Sequence, residues 1–178
     1  KIIGLANAGG DTINSIKQAA EIGIVKGGQK LAGLLVFLPD VHGLGLNTAQ
    51  GLQITESWYW DLNDASRAFA KRFAAQHGGK YPSSDHAGVY AGVLHYLKTD
   101  DGTKGVAKMK ALPTDDPLFG KGSIRADGRK IHPVYLFEVK KPSESKGPYD
   151  YYKVLQTIPA DKAFRPIDQG NCPLVAKK

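Results

Sequence analysis

The chain has 178 residues, of which 42% are hydrophobic and 23% charged, and this composition is typical of an ordinary globular protein. Its longest apolar run, residues 31–38, is far shorter than the roughly 20 residues that a membrane-spanning helix needs. The net charge of +7 comes from basic residues scattered among acidic ones, which favours a solvated surface over a nucleic-acid-binding patch. A single cysteine, Cys172, provides neither a disulfide framework nor a zinc site.

Residues 1–57 are predicted to alternate strands and helices. A strand over residues 2–6 leads into a loop over residues 7–10. Asp11 or Thr12 is expected to cap the following helix, because its side-chain oxygen accepts hydrogen bonds from the free N–H groups of the first turn. The helical spacing of the apolar residues predicts one buried face, formed by Ile13, Ile16, Ala20 and Ile24.

The second strand is predicted over residues 31–38, and Pro39-Asp40 is expected to end it. Its nearly continuous apolar run is typical of a parallel strand that is covered on both faces. A short helix is expected between Gly43 and Gly51, followed by a third strand over residues 52–60. This order of elements predicts a parallel sheet with right-handed crossovers.

Residues 62–112 are predicted to be mainly helical. A first helix, begun by Asn63 or Asp64, is expected to end at Gly78-Gly79, and two more helices precede Pro113.

The remainder is predicted to return to β structure. Asp127-Gly128 indicates a hairpin between residues 122–126 and 129–139, because the tight turns of hairpins require positive φ. A last strand is expected within residues 149–158, and an irregular tail after Pro159.

No motif indicates an enzyme, a nucleotide site or a metal site. The glycines at positions 43, 45 and 51 do not form G-x-G-x-x-G, and no G-x-S-x-G is present. Neither a cofactor nor a metal ion is therefore expected. Two alternatives from other classes are an α/β hydrolase, in which Asp40 acts with His42 or His132, and a basic nucleic-acid-binding domain.

Two loops are candidate ligand sites because of their position. In an open parallel sheet, ligands bind outside the carboxyl ends of the strands. The loop with Asn7, Ala8 and Gly9 follows the first strand and precedes a helix N-terminus, which favours an anionic group such as a carboxylate. Asp40, after the second strand, is either a partner for an ammonium group or the cap of a helix or turn.

The aromatic run Trp58-Tyr59-Trp60 is the densest in the sequence. It is interpreted mainly as the end of a buried strand, with Tyr59 or one of the two tryptophans expected to face a ligand, and Tyr59 is taken as the candidate ligand-binding residue. Aromatic side chains supply much of the apolar contact area in small-molecule pockets.

Taken in order, these segments resemble the C-terminal portion of periplasmic solute-binding proteins of the leucine/isoleucine/valine type, which serve branched-chain amino acid ABC importers. IIGLANAGGDTINSIKQAAEIGI resembles a strand–loop–helix of the C-terminal lobe, and LAGLLVFLPD resembles the next strand with its ligand-side loop. Residues 49–97 resemble the return into the N-terminal lobe with its two helices. DPLFGKGSIRADGRKIHPVYLFEVKK resembles the final hairpin and the crossing back.

The resemblance implies the type I periplasmic-binding fold, in which two α/β lobes, each with a mainly parallel sheet flanked by helices, close on a solute. It assigns residues 1–57 and 133–178 to the C-terminal lobe and residues 62–132 to the N-terminal lobe. It also implies that this chain is a C-terminal fragment, since it opens directly on a strand, and that the intact polypeptide is about twice as long.

The resemblance further implies binding without catalysis, in the periplasm. The expected partners are a small solute, an inner-membrane ABC permease and the missing N-terminal part, with no nucleic acid. By this resemblance Asp40 matches an acidic ligand-binding position, while Ala8 and Gly9 lie where amino acid binders often place an aromatic residue. That departure widens the expected ligands to amides, short-chain amino acids and aromatic acids. A ligand-sensing receptor domain of the same fold is the main alternative.

Overall fold

The computed structural model describes residues 1–99 and 105–175, which form a five-stranded sheet, a three-stranded sheet and six α-helices. The strands of the larger sheet are β1 (Ile2–Leu5), β2 (Lys30–Gly33), β3 (Gln53–Glu56), β7 (Val134–Val139) and β8 (Tyr152–Ile158). Strands β1, β2 and β3 pair in parallel, whereas β7 pairs antiparallel with β3 and with β8. The predicted parallel arrangement of residues 1–57 is confirmed, and the return strands make the whole sheet mixed.

Three helices connect the parallel strands. They are α1 (Gly9–Glu21), α2 (Leu38–Leu44) and α3 (Leu46–Ala49). Ile16 of α1, Val41 of α2 and Ala49 of α3 pack with Ile54 and Phe137 of the sheet in one buried core. Burial of these side chains provides the main stabilisation of the sheet with its helices.

The middle of the chain contains the remaining helices and the smaller sheet. These elements are α4 (Asp64–Gln76), α5 (Ser84–Thr99), α6 (Gly105–Ala111), β4 (Thr114–Asp116), β5 (Gly120–Ile124) and β6 (Lys130–Ile131). Trp58, Phe69, Ala87 and Leu118 form a second buried cluster. The predicted helical character of this segment is confirmed, and the assignment of the segments to two lobes stays a prediction.

Two predicted boundaries of α4 are confirmed. The Asn63 side-chain oxygen accepts a hydrogen bond from the Ser66 N–H at 2.9 Å, which caps the helix. Gly78 and Gly79 have φ of 58° and 78°, and they end the helix in the left-handed region that glycine adopts readily.

The second strand is shorter than predicted, and residues 34–38 do not continue it. β2 ends at Gly33, where the chain bends so tightly that a Cβ atom would lie 2.5 Å from Val36 Cγ2. Leu38 then begins α2, and the Asp40 carboxylate accepts a hydrogen bond from the Phe37 N–H at 2.9 Å. Asp40 therefore helps to start a helix and does not end a strand. The end of β2 at Gly33 was not predicted because the apolar run continues past it.

The start of α1 also differs from the prediction. The helix begins at Gly9, so Gly9-Gly10 is helical, and Ala8 at the N-cap position provides no side-chain hydrogen bond. Asp11 and Thr12 lie inside the first turn and do not cap it. The Thr12 hydroxyl donates to Asn7 Oδ1 at 2.9 Å, because the loop side chain comes back over the first turn.

The long strand predicted over residues 129–139 is two strands in different sheets. The hairpin at Asp127-Gly128 is confirmed, with the Arg125 N–H donating to the Arg129 carbonyl at 2.9 Å. His132-Pro133 then separates β6 from β7, since proline has no N–H to donate to a strand ladder. The third strand likewise ends at Glu56, and residues 58–60 lie outside it.

Within the described residues, none of the helices combines the length and apolar character needed to cross a membrane.

Candidate functional site

The carboxyl ends of β1, β2 and β3 lie at one edge of the larger sheet, because these strands are parallel. The loops that leave this edge contain residues 6–8, residues 34–37 and residues 57–63. The Leu34 N–H donates to the Leu5 carbonyl at 3.2 Å, and this hydrogen bond joins the second loop to the end of β1, where the first loop begins. We call this edge, with residues 7–9 and 34–35, the carboxyl-edge surface.

The carboxyl-edge surface consists of small or apolar exposed residues. Ala8 and Gly9 are exposed at the start of α1. Leu34 and Leu35 are 64% and 48% exposed where β2 ends. Sequence analysis placed these two leucines inside a buried strand, so their exposure became evident only from the bend at Gly33.

Asn7 holds the first loop in place. Its Oδ1 accepts from Thr12, and its Nδ2 donates to the Ser15 hydroxyl at 3.0 Å. Both ends of the amide are therefore engaged with α1, which fixes the position of the neighbouring Ala8 and Gly9.

Asp40 lies in the first turn of α2, with one carboxylate oxygen on the Phe37 N–H. A carboxylate at this position is favoured by the unpaired N–H groups and the dipole of the helix. Of the two interpretations of Asp40, the helix-capping one is present in the structure.

Tyr59 lies in the core, at 4% exposure, behind the carboxyl-edge surface. Its ring packs against Phe137 and Tyr152. Its hydroxyl donates to the Tyr149 carbonyl at 2.6 Å and accepts from the Tyr151 N–H at 3.0 Å. Burial raises the pKa of Tyr59 above its ordinary value, so the hydroxyl remains a proton donor.

Tyr149 is the most constrained residue near the site. Its φ of 67° is unusual for a residue with a side chain, and its carbonyl also accepts from the Trp60 indole N–H at 2.8 Å. Its ring stacks between Tyr81, at 5.0 Å between centroids, and His42, at 4.4 Å. Sequence analysis missed this aromatic cluster, although the run of tyrosines at positions 149, 151 and 152 was a signal for it.

An ion pair holds the loop before Tyr149. Lys140 pairs with Asp150, and the same carboxylate accepts from the Lys146 N–H at 2.8 Å. Burial alone raises the pKa of Asp150, but these partners outweigh it and hold the pKa below its ordinary value.

Glu56, the last residue of β3, is a buried carboxyl group at 4% exposure. Burial raises its pKa to about 8, and the neighbouring polar groups of Ser84 and Tyr152 offset this only in part. Among the described residues, Glu56 Oε1 and the Tyr152 hydroxyl are buried without a hydrogen-bond partner. Asp85 adds a further unfavourable charge nearby. Glu56 is therefore protonated at neutral pH, in the segment that leads from the larger sheet to α4.

The structure does not bring together the residues of the alternative hydrolase. Asp40 is engaged with the Phe37 N–H, and His42 Nδ1 lies 2.7 Å from the Tyr151 hydroxyl. His132 packs between Phe119 and Phe164, and burial lowers its pKa. Among the described residues, no group of three His, Cys, Asp or Glu side chains is arranged to hold a metal ion.

Of the five residues predicted to bind a ligand, Asn7, Ala8 and Gly9 lie together at the carboxyl-edge surface. Asp40 lies in the first turn of α2, and Tyr59 lies in the core. Ligand contact by these five residues stays a prediction.

A parallel sheet with short exposed loops at its carboxyl edge defines a small-molecule-binding architecture of the α/β class. The family described as periplasmic binding protein matches residues 1–148. The chain belongs to this family, whose members are solute-binding proteins.

Solved structures of similar proteins agree with this assignment. A periplasmic binding protein from Burkholderia mallei is 52% identical, with a TM-score of 0.88 over 97% of this chain and 47% of its own. A branched chain amino acid ABC transporter periplasmic ligand-binding protein from Burkholderia xenovorans LB400 is 37% identical, with a TM-score of 0.85 over 97% of this chain and 48% of its own.

The chain thus has the type I periplasmic-binding fold and spans about half the length of these relatives. Among curated proteins, none matches the chain.

Replacing Tyr59 with Phe removes the hydrogen bond from its hydroxyl to the Tyr149 carbonyl, while the Tyr151 N–H keeps the Tyr149 carbonyl as an acceptor at 2.9 Å. We expect the full-length protein to lose about 0.5–1.5 kcal/mol of unfolding free energy, the net contribution of a typical hydrogen bond. Urea denaturation measures this loss. Tyr96→Phe is the matched control, since Tyr96 is 42% exposed and does not line the groove between α4 and α5, and we expect it to change stability by less than about 0.5 kcal/mol. Equal losses in both variants would contradict the role of the Tyr59 hydroxyl.

Glu56→Gln is expected to stabilise the protein increasingly as pH rises. The folded state has a pKa of about 8 at this residue against an ordinary 4.5, so between these values the unfolded state ionises while the folded state stays protonated. The wild type therefore loses stability over this window, by up to about 1.4 kcal/mol per pH unit, and the glutamine variant does not. Urea denaturation of the full-length wild type and variant at about pH 5, 7 and 9 tests this. We expect the difference between their unfolding free energies to stop increasing above about pH 8.

Glu144→Gln is the control, because the ionisation of Glu144 is expected to change the stability with pH in the opposite direction to that of Glu56. Hydrogen bonding to the Lys141 N–H and to Lys153 lowers the pKa of Glu144, so its ionised form stabilises the protein above the ordinary pKa. This variant is expected to be less stable than wild type at neutral pH and equal to it in acid. A Glu56→Gln profile parallel to that of wild type would show that Glu56 ionises freely in the folded state.

Proposed function

We propose that the protein is the substrate-binding component of an ABC importer and acts without catalysis in the periplasm. It captures a small amino acid, or a related carboxylate or amide, between two lobes and presents it to an inner-membrane permease. The observation that carries this proposal is the open carboxyl-edge surface at the ends of three parallel strands, in a chain of the periplasmic binding protein family.

The proposal assigns direct ligand contact to Asn7, Ala8 and Gly9. Asn7 fixes the loop through its bonds to Thr12 and Ser15, and the two small residues leave space above the start of α1. Asp40 and Tyr59 position this surface, the first by starting α2 and the second by anchoring the chain after β3. Preorganised loops lower the entropic cost of binding a solute.

The ligands found in two proteins of the same fold support the proposal that the solute is small. A relative from Streptococcus pneumoniae, 16% identical, was solved with isoleucine, and one from Rhodopseudomonas palustris BisB5, 21% identical, with 3,4-dihydroxybenzoic acid. Both ligands are small carboxylic acids, which fits the class of solute proposed for this protein.

We also propose that the preceding part of the polypeptide covers an apolar groove on α4 and α5. This groove has a volume of about 660 Å³, and its lining includes Phe73, Val89, Val93 and Leu97. Since the solved relatives are about twice as long as this chain, they contain the additional structure that such a surface needs.

Val89→Asp tests this covering. Val89 is 67% exposed in this chain, so a charge would cost little here unless the rest of the protein buries it. In the full-length protein we expect a loss of about 3 kcal/mol or more, because an unpaired charge would be buried. Val154→Asp on the edge strand β8 is the control and is expected to cost less than about 1 kcal/mol. A similar small loss at Val89 would contradict the proposed covering.

The binding function and the role of Asp40 are tested together in a thermal-shift screen of the full-length protein against amino acids, small amides and aromatic acids. A bound solute stabilises the native state by about 2.7 kcal/mol at a hundredfold excess over Kd. We expect Asp40→Asn to bind as wild type does, because its amide oxygen can still accept from Phe37. We expect Asp40→Ala to lose about 1 kcal/mol of stability and part of its affinity.

If Asp40→Asn loses as much affinity as Asp40→Ala, the carboxylate charge contacts the solute directly. If no solute class stabilises the wild type, the proposed transport function is wrong.

A further inference from the structure

We infer that the solute presents a hydrophobic group to Leu34 and Leu35, and that the protein prefers carboxylic acids to the corresponding α-amino acids. This inference rests on the proposed function, because it names the solute class of the same site. The two leucines lie where β2 ends, at the same edge of the sheet as Ala8 and Gly9, and both are about half exposed or more.

The bend fixes the outward direction of these side chains. Gly33 and Val36 are buried on either side of the pair, and the Gly33 position has no room for a side chain against Val36. The Leu34 N–H is engaged with the Leu5 carbonyl, and the Phe37 N–H is engaged with Asp40. Leu34 and Leu35 are therefore held outward by a loop whose backbone is pinned at both ends.

A pinned, outward pair of leucines is a contact surface for an apolar group. Removing such surface from water stabilises a complex by roughly 25 cal/mol per Å². Because ligands of open parallel sheets bind outside the carboxyl ends of the strands, the pair lies where a solute lies and not on a remote face.

An α-ammonium group is a poor fit to the same surface. A charged group that loses water against apolar side chains is destabilised unless an anion pairs with it. One oxygen of the Asp40 carboxylate accepts from the Phe37 N–H at the start of α2, which turns this carboxylate toward the helix, and the Glu56 carboxyl group at the end of β3 is 4% exposed. Asp11 is exposed in the first turn of α1, where its carboxylate is accessible to a solute ammonium group. The variant Asp11→Asn is therefore included in the test.

The experiment is isothermal titration of the ligand-free full-length protein with two matched pairs, 4-methylpentanoate against leucine and 3-phenylpropanoate against phenylalanine. Each pair differs only in the ammonium group. We expect the acid of at least one pair to bind about tenfold more tightly than its amino acid, or better. The inference is overturned if in neither pair the acid binds more tightly than its amino acid, and loss of amino acid binding in Asp11→Asn would then identify the ammonium partner.

Leu35→Asp tests the contact itself. The new carboxylate repels the solute carboxylate, removes apolar contact and supplies an ammonium partner, so the preference for the acid is expected to shrink by about tenfold or more. Leu34→Asp is the second variant, in case the first does not fold. Leu155→Asp, at a residue of β8 that is 44% exposed, is the matched control and is expected to keep the wild-type preference.

An unchanged preference in both Leu35→Asp and Leu34→Asp overturns the inference. Failure of all four probes also overturns it, and the thermal-shift screen then separates the two proposals. If a different solute class stabilises the protein, the proposed transport function is retained and only the preference for carboxylic acids is wrong. If no solute class stabilises the protein, both proposals are wrong.

Discussion

The hydroxyl of Tyr59 joins parts of the chain that are about ninety residues apart, and the geometry of the site depends on it. It donates to the Tyr149 carbonyl and accepts from the Tyr151 N–H, so the segment after β3 is tied to the segment before β8. Trp60 adds a second donor to the same carbonyl. These bonds are partly buried and share the Tyr149 carbonyl and the Tyr59 hydroxyl, so each one constrains the others.

The strained backbone of Tyr149 follows from this arrangement. A positive φ at a tyrosine costs free energy, and it persists because two side chains hold the carbonyl and two rings enclose the side chain. Tyr81 and His42 come from distant parts of the sequence, so the stack connects the loop before α5 with α2 and the return strand. Glu56 lies in the same region with its proton retained, which couples the local stability to pH.

The carboxyl-edge surface combines rigid support with small or apolar side chains. The loops of β1 and β2 are bonded to each other and to the helices that follow them, so little reorganisation is needed when a solute binds. The proposed role of this edge in solute binding rests on membership in the periplasmic binding protein family, and the proposed preference for carboxylic acids rests on the exposed leucines. The apolar groove on α4 and α5 is the surface that we propose is covered by the preceding part of the polypeptide.

The sequence by itself determined the class of the fold, the parallel order of the first three strands and the family. Helical spacing, the Asn63 cap, the paired glycines and the Asp127-Gly128 turn are local signals, and each depends on neighbouring residues alone. Asn7, Ala8 and Gly9 were placed at the ligand edge by the same reasoning, because strand order decides which loops share an edge.

Tertiary structure decided the direction of individual side chains. An apolar run has no period, so nothing local showed that the chain bends at Gly33 and exposes Leu34 and Leu35. The position of Tyr59 in the core, the stack around Tyr149 and the raised pKa of Glu56 all arise from contacts between residues far apart in sequence. Burial and hydrogen-bond partners of this kind come only from long-range packing, and therefore only the folded chain could reveal them.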